Sequence, residues 1–349
     1  MKRLILLIFL AIFIGAKLPS NEGRIKTAIY WLSPIMSESI VPKVAKFDLA
    51  IIDIENAKNN RQSLDSLKKL NPAIKLIAYF NSMEEFQSIT VNRPLQNYWM
   101  QEVRNKYPQW LLKTGDGKPA IFYPGMIMIN LSADCPRING QNYGEWMASK
   151  LVTEFQQDSL WSGCFVDNCN PAMSWNFRKT HLDADNDGRP DDDASFDKSW
   201  LKGYRAHLEI IRKGMGQDFI MIGNKGILAF MDILNGRMFE GFPNDDLGGN
   251  TAGGWWQGGW WQCLANAYEI GKYTIFQAKN KEQLDFTIAS ALLLNDRPYV
   301  AVGENNTAWY PQFDLNYEDG GEIIISRRFR DGKKVEITPA KRKVEFLNK

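Results

Sequence analysis

The chain alternates short apolar runs with segments whose apolar residues recur at helical spacing. Such runs are typical of buried β-strands, and each helical stripe would cover one face of a sheet. This alternation predicts either a closed (β/α)8 barrel or an open doubly wound sheet. The stripes are Met147, Leu151 and Phe155; Leu201, Tyr204, Leu208 and Ile211; and Leu284, Ile288 and Leu292.

Nine runs qualify as strands, whereas a barrel has eight places. One of them, with the last as the first choice, is therefore expected to lie outside the barrel or not to form. No Gly-x-Gly-x-x-Gly turn or phosphate loop follows an early strand, so the α/β class with a (β/α)8 TIM barrel is favoured over an open nucleotide-binding sheet. The runs are Ala28 to Leu32, Leu49 to Glu55, Ile74 to Asn81, Met126 to Leu131, Cys164 to Asn168, Phe219 to Asn224, Arg237 to Gly241, Tyr273 to Gln277 and Tyr299 to Val302.

The last stretch of the chain has a different pattern. We expect the barrel to occupy residues 24–320 and a small C-terminal antiparallel β appendage to occupy residues 321–349. Asp331-Gly332 favours a tight hairpin turn between two apolar runs, and a further strand is expected at Lys343 to Phe346. The basic residues of this appendage are typical of edge strands that resist aggregation, the alternative being attraction of an anionic glycan.

The N-terminus has the layout of a signal peptide, which we assign to residues 1–16. Lys2 and Arg3 precede an unbroken apolar run from Leu4 to Ala16, followed by small and polar residues. The run is shorter than the roughly 20 residues that span a bilayer, so no stable membrane span is expected after processing. The protein is therefore expected to be secreted or periplasmic, an uncleaved anchor being the alternative.

The net charge and the small numbers of histidines and cysteines limit the kinds of site that the chain can form. The 349 residues include 42 basic and 40 acidic ones, and a net charge of +2 gives no grip on nucleic acid, which is not expected as a partner. Two histidines cannot build a site of clustered imidazoles, so carboxylates and amides must supply the chemistry. Of four cysteines, Cys135 and Cys169 could form a disulfide if the strands before them are neighbours.

Most of the runs end on a carboxylate or a carboxamide. In a parallel barrel these ends converge on one mouth, where such barrels place their chemistry. The alternative for any single residue is that it starts a turn or caps the next helix. As a set, they predict a ring that binds sugar hydroxyl groups. The expected substrate-binding residues are Asp53, Tyr79, Asn81, Asn130, Asn168, Asn224 and Gln277.

Asp167 and Glu240 each end an apolar run that would hold the carboxyl group rigidly. Cleavage of a glycosidic bond needs one carboxyl group kept protonated as an acid and another ionised as a nucleophile or base, and no cofactor. We therefore expect these two residues to be catalytic. Asp53, Glu55 and Glu84 are competing carboxylates.

Five strand motifs resemble those of the bacterial glycoside hydrolases called hypothetical glycosyl hydrolase family fifteen, and more distantly those of endo-α-1,4-polygalactosaminidases. The resemblance extends from about residue 28 to residue 340. It implies a TIM barrel and carbohydrate hydrolysis, with Asp167 and Glu240 at the matching acidic positions. The distant relatives carry Gly-Glu soon after the third strand, whereas Asn81-Ser82-Met83-Glu84 stands here. The motifs are residues 47–53 (FDLAIID), 75–81 (KLIAYFN), 163–168 (GCFVDN), 222–224 (IGN) and 239–241 (FEG).

A glycine-rich segment places four tryptophans within residues 255–261. Trp255 and Trp256 are expected to stack on sugar rings. Trp260 and Trp261 adjoin a helical pattern and could instead anchor that helix in the core.

An acidic segment resembles a calcium-binding loop. Asp183, Asp185 and Asp187 stand at ligand positions 1, 3 and 5, Gly188 stands at the turn position, and Asp191 stands at position 9. Position 12 is Ala194 rather than the usual glutamate. The loop therefore predicts a structural calcium ion, the alternative being a solvated acidic insertion.

Two functions remain open on the sequence. The first is a glycoside hydrolase whose partner is a poly- or oligosaccharide. The second is a catalytically silent barrel that only binds carbohydrate. Carboxyl groups of Asp167 and Glu240 separated by roughly 5 to 10 Å would favour the hydrolase.

Overall fold

The computed structural model describes residues 24–242, 259–294 and 297–315, together with three C-terminal strands. The expected signal peptide and the pair Trp255 and Trp256 lie outside these residues, so both stay predictions. Within the described part of the chain, no helix combines the length and the apolar character that crossing a membrane requires.

Eight parallel strands follow one another around a single sheet. The sheet closes where Thr27 bridges Val300, whose N–H donates to the Lys26 carbonyl oxygen at 2.8 Å. The predicted (β/α)8 barrel is therefore confirmed. The strands are β1 Ala28–Trp31, β2 Leu49–Asp53, β3 Lys75–Phe80, β4 Gly163–Val166, β5 Ile220–Asn224, β6 Gly236–Phe239, β7 Ile275–Ala278 and β8 Tyr299–Val302.

Helices connect most of these strands on the outside of the barrel. The longest, α6, begins at an Asp192 cap whose carboxylate accepts from the Ser195 N–H, and α5 begins with a capping box between Asn142 and Glu145. The helices are α1 Val41–Val44, α2 Asn56–Asn59, α3 Arg61–Leu70, α4 Pro94–Lys106, α5 Tyr143–Gln157, α6 Asp193–Met215, α7 Gly259–Ile270 and α8 Leu284–Leu292.

Of the nine candidate runs, Met126 to Leu131 is the one that lies outside the barrel. The expectation that the last run would be left out is wrong. Met126–Met128 pairs antiparallel with Glu84–Phe86, inside the long connection between β3 and β4. β3 pairs directly with β4, which leaves no place between them. A short apolar run has the same local pattern in a barrel wall and in an outlying hairpin, so periodicity could not separate the two.

Side chains from alternate positions of the eight strands fill the barrel interior. At the end nearest the strand C-termini, the rings of Tyr30, Tyr79 and Phe165 pack against one another with centroids 5.5 to 6.0 Å apart. This aromatic layer closes the barrel beneath its mouth. The buried cluster below and around it comprises Ala28, Leu49, Ile51, Ile77, Ile220, Ile222, Met238, Ile275, Tyr299 and Ala301.

The C-terminal strands form a sheet of their own. Ile325–Arg328, Lys334–Thr338 and Lys343–Leu347 pair antiparallel in that order, which confirms the predicted β appendage. Contacts within the chain group these strands apart from the compact unit of Ile25–Asp314.

All four cysteines are buried and free, so the disulfide between Cys135 and Cys169 that the sequence left open does not form. That disulfide required the run Met126 to Leu131 to be a barrel strand beside β4. Because that run lies in an outlying hairpin, the loops carrying the two thiols are not those of neighbouring barrel strands.

Candidate active site

A cavity of about 640 Å³ opens at the C-terminal mouth of the barrel. Its walls carry three carboxylates and two lysines, above the aromatic layer. The lining residues are Tyr30, Leu32, Tyr79, Tyr123, Asp167, Asn168, Asn224, Lys225, Gly226, Glu240, Gly241, Gln277, Lys279, Gly303 and Glu304.

The strand period brings four of the predicted residues into this cavity. Side chains alternate between the two faces of a strand, so a residue two positions beyond an inward-facing core residue also faces inward. Asp167, Asn224, Glu240 and Gln277 follow the core residues Phe165, Ile222, Met238 and Ile275 in this way.

Asn224 joins the two predicted catalytic carboxyl groups. Its Nδ2 donates to Oδ1 of Asp167 and to Oε2 of Glu240, each at 2.8 Å. Because both oxygens lie 2.8 Å from one nitrogen, they are separated by no more than twice that length, 5.6 Å. Retaining glycosidases have carboxyl groups about 5 to 5.5 Å apart, and inverting ones about 6.5 to 9.5 Å. For these two oxygens, the upper bound lies close to the retaining range and below the inverting one.

Three donors orient the Asp167 carboxylate. The Tyr79 hydroxyl donates to Oδ2 at 2.6 Å, and the Asn168 N–H donates to Oδ1 at 2.7 Å beside the Asn224 amide. Asn168 has a φ of 49°, and this left-handed conformation follows directly on Asp167. The carboxylate is therefore held in one position at the end of β4.

Glu240 has the properties of a group that carries a proton near neutrality. Burial, together with the nearby charges of Asp167 and Glu304, raises its pKa to about 7 against the opposing hydrogen bond from Asn224. Its position beside a second carboxylate therefore suits a general acid and base.

Arg237 is a fully buried cation that sequence reasoning missed. Its guanidinium donates to the carbonyl oxygens of Cys169 at 3.1 Å, of Asn224 at 2.9 Å and of Ala229. It thus ties the loops after β4 and β5 to β6, and it fixes the backbone of the asparagine that joins the catalytic pair. Arg237 is a positioning residue.

Arg237→Met is expected to lower the free energy of unfolding by about 3 kcal/mol or more, because three buried carbonyl groups lose a donor. Urea denaturation would measure this effect. The partly exposed Arg205, which pairs with Asp232 at 2.5 Å, offers a control, since Arg205→Met should cost less than about 1 kcal/mol. Equal unfolding midpoints for the two variants would contradict the role given to Arg237.

Glu84 lies behind the cavity rather than in it. Its carboxylate accepts from Nδ2 of Asn81 at 3.2 Å, from Nδ2 of Asn168 at 3.0 Å and from the N–H of Tyr123 at 3.2 Å. Burial raises its pKa to about 7. Glu84 therefore connects the segment that carries Tyr123 to the loop of Asp167. Its contact with that loop is the hydrogen bond from the Asn168 side chain.

The structure does not place Asp53, Asn81 or Asn130 on the cavity wall. Asp53 accepts from Arg93 at 2.8 Å, and its neighbour Glu55 accepts from two N–H groups at the start of α4. These two carboxylates therefore fit the alternative that strand-end residues serve turns and helix caps. They hold α4 against the end of β2.

The amides of Asn81 and Asn130 also bind within the protein. Asn81 accepts from the Met83 N–H as well as donating to Glu84. Asn130 accepts from both N–H and Oγ of Ser132 and donates to the Ala184 carbonyl oxygen at 2.6 Å. Asn130 was predicted at the mouth because its run was taken as a barrel strand, and that run lies in the outlying hairpin.

Five lining residues with polar side chains were missed in the sequence: Tyr30, Tyr123, Lys225, Lys279 and Glu304. Glu304 carries a signal that could have been used, because it is a carboxylate two residues after the last strand run. Gln277 lines the cavity as predicted, and its amide also joins loops, accepting from the Gly241 N–H and donating to the Gly303 carbonyl oxygen.

The acidic loop gathers three of its four predicted calcium ligands. Carboxylate oxygens of Asp183, Asp185 and Asp187 lie within 4.8 Å of one another. Asp191 is not among them, because its carboxylate accepts from the Ala184 N–H at 2.7 Å. Calcium binding stays a prediction, and isothermal titration of the purified protein with calcium would test it; no heat at millimolar calcium would contradict it.

The profile of hypothetical glycosyl hydrolase family 15 matches residues 68–319. The chain belongs to this family. This family assignment agrees with the resemblance of the strand motifs. No curated protein matches the sequence significantly.

The chain is similar to several solved structures. α-L-Fucosidase isoenzyme 2 from Paenibacillus thiaminolyticus superposes with a TM-score of 0.50 and 13% identity, over 81% of this chain and 46% of that one. The chain thus spans less than half the length of the fucosidase. An α-N-acetylgalactosaminidase from Bifidobacterium bifidum superposes with a TM-score of 0.47 and 10% identity, over 93% of this chain and 57% of that one.

Proposed function

We propose that the protein is a retaining glycoside hydrolase that acts on a poly- or oligosaccharide, with Asp167 as the nucleophile and Glu240 as the acid and base. The observation that carries this proposal is the double hydrogen bond of Asn224, which keeps the two carboxyl oxygens within 5.6 Å of each other. Family membership supports the reaction class.

In the first step, an oxygen of Asp167 bonds to the anomeric carbon while the glycosidic C–O bond breaks, and the Glu240 carboxyl group gives its proton to the departing oxygen. A glycosyl ester on Asp167 results. In the second step, the Glu240 carboxylate takes a proton from water, whose oxygen bonds to the anomeric carbon as the ester bond breaks. Two displacements at one carbon leave its configuration unchanged.

The alternative is a silent barrel that binds carbohydrate without cleaving it. The carboxyl separation, the raised pKa of Glu240 and the orientation of Asp167 by three donors all favour hydrolysis. A binding protein would need none of these three features.

The test is to incubate the purified protein with a panel of bacterial, algal and plant polysaccharides and to assay new reducing ends. Proton NMR of the first product then identifies its anomer before mutarotation. Retention of configuration is expected. An inverted first product would refute the double displacement, and binding without any cleavage would favour the silent barrel.

A further inference from the structure

An exposed tryptophan stands beside the cavity. Trp175 lies in the short turn Ser174–Asn176 after β4, and 43% of its surface is exposed. Its indole Nε1 donates to the Ala172 carbonyl oxygen at 3.1 Å. Because the polar atom is bound inward, the exposed part of the side chain is mainly its carbon ring. Trp110 and Trp200, in contrast, are buried.

The turn that carries Trp175 is held in place from α6. The carboxylate of Asp197 accepts from the N–H groups of Met173 and Ser174, each at 2.9 Å, and from the Ser174 hydroxyl at 2.6 Å. The ring is thus positioned before any ligand arrives, which lowers the entropy cost of binding to it.

Side-chain contacts connect the indole of Trp175 to the cavity wall on two sides. Its ring meets that of Phe122 edge-on, with centroids 6.0 Å apart, and Phe122 meets Tyr123 at 4.8 Å. Tyr123 lines the cavity, as does Lys225, whose ammonium lies 6.0 Å from the centre of the indole. On one side Phe122 therefore links Trp175 to the cavity wall. On the other side Trp175 lies beside Lys225, which is itself part of that wall.

Tyr123 lines the same cavity as the proposed catalytic carboxyl groups. Burial raises the pKa of its phenol, and the charges of Asp167 and Glu240 raise it further. A ligand whose reacting bond lies between Asp167 and Glu240 would therefore pass Tyr123 before it reaches Trp175.

We propose that Trp175, together with Phe122 and Tyr123, forms a second sugar-binding position, so that the substrate spans at least two sugar units. One unit occupies the cavity, and the next lies with its C–H face on the indole. Carbohydrate is the expected occupant because binding sites combine aromatic surface with a few polar groups, here the ammonium of Lys225. The inference rests on the proposed function and adds chain length to it.

The experiment measures binding by titration calorimetry on the Glu240→Gln protein, which keeps the ligand intact. The probes are neutral gluco-, galacto-, manno- and xylo-oligosaccharides of one to six units. For the series that binds, adding Trp175→Ala should weaken the binding of chains of two or more units about 10- to 100-fold, because the apolar contact of the second unit with the indole is lost. The monosaccharide should change less than about twofold, because it occupies the cavity.

Two further variants sharpen this test. Trp175→Phe keeps a ring and should recover most of the affinity for longer chains. Tyr268→Ala removes an aromatic side chain that is 65% exposed on α7 and should change nothing. Equal losses for the monosaccharide and the hexasaccharide would overturn the second position, as would no loss for either.

Hydrolysis separates this inference from the proposed function. The glycosyl fluoride of the same sugar, whose leaving group is a single atom, should lose less kcat/KM in Trp175→Ala than the oligosaccharides of two or more units lose. Activity of Glu240→Gln equal to that of the wild type would refute the catalytic pair, and the second position would then be tested by comparing kcat/KM of the wild type and of Trp175→Ala for each chain length. Failure of every oligosaccharide to bind would overturn the second position.

Discussion

Asp167→Asn is expected to lower turnover at least about 10³-fold on any glycan that the wild type cleaves. The amide has no charge with which to attack the anomeric carbon, so the ester of the first step cannot form. Initial rates of reducing-end release at saturating substrate measure this loss.

The same change should leave the fold intact. The remaining carbonyl oxygen of the side chain can accept from the Asn168 N–H and the Asn224 amide, and its new NH2 group can donate to the Tyr79 hydroxyl. The melting temperature should therefore shift by only a few degrees. Asp218→Asn makes the same change on an exposed turn outside the cavity and serves as the matched control.

Azide distinguishes a nucleophile from a residue that only positions others. The test uses Asp167→Ala with an aryl glycoside as the substrate. Azide can enter the space of the missing carboxylate and bond to the anomeric carbon while the aryloxide leaves. A glycosyl azide of inverted configuration is expected. Full activity of Asp167→Asn, or an azide product of retained configuration from Asp167→Ala, would contradict the assignment.

The barrel could be predicted because its signals are local and repeated. Strand runs and helical stripes alternate along the chain, and the packing of any strand in a barrel wall imposes the same pattern. The position of Met126 to Leu131 could not be predicted in this way. Whether that run joins β3 or the Glu84–Phe86 strand depends on a pairing partner, and both partners suit an apolar run.

The placement of Asp167 and Glu240 in one cavity could be predicted because strand period and topology fix it. Asp167 and Glu240 continue the inward-facing alternation of β4 and β6, so the closed sheet brings them together. The fate of Asp53 could not be predicted, because its partner Arg93 lies 40 residues away at the start of another helix. A strand-end carboxylate that binds a cation and one that faces a cavity have the same local sequence.

Arg237 shows a further limit of sequence reasoning. Charged residues on strands are usually exposed, and nothing in the Gly236–Phe239 sequence indicates that a guanidinium is buried there. Its role depends on three carbonyl groups of two other loops, which become neighbours only in the folded barrel.

Glu240→Gln is expected to lower kcat about 10²- to 10⁴-fold on natural glycosidic bonds, because the amide keeps the shape of the side chain but has no proton to transfer. The loss should shrink to less than about tenfold in the first step for a 2,4-dinitrophenyl glycoside, whose leaving group departs without protonation. Pre-steady-state release of dinitrophenolate isolates that step. Full activity on a natural glycan would refute the assignment, and Glu282→Gln on an exposed turn is the matched control.

The pH dependence follows from the raised pKa of the same group. Burial, with the charges of Asp167 and Glu304, places the pKa of Glu240 at about 7. The first step needs the protonated form, so kcat/KM of the wild type should be level below this pH and fall about tenfold for each unit above it. Glu240→Gln should lack that alkaline limb, and Glu304→Gln should move it to lower pH, since one of the charges that disfavour ionisation is gone. A limb that persists unchanged in Glu240→Gln would assign the titration to another group and remove the reason to regard Glu240 as the acid.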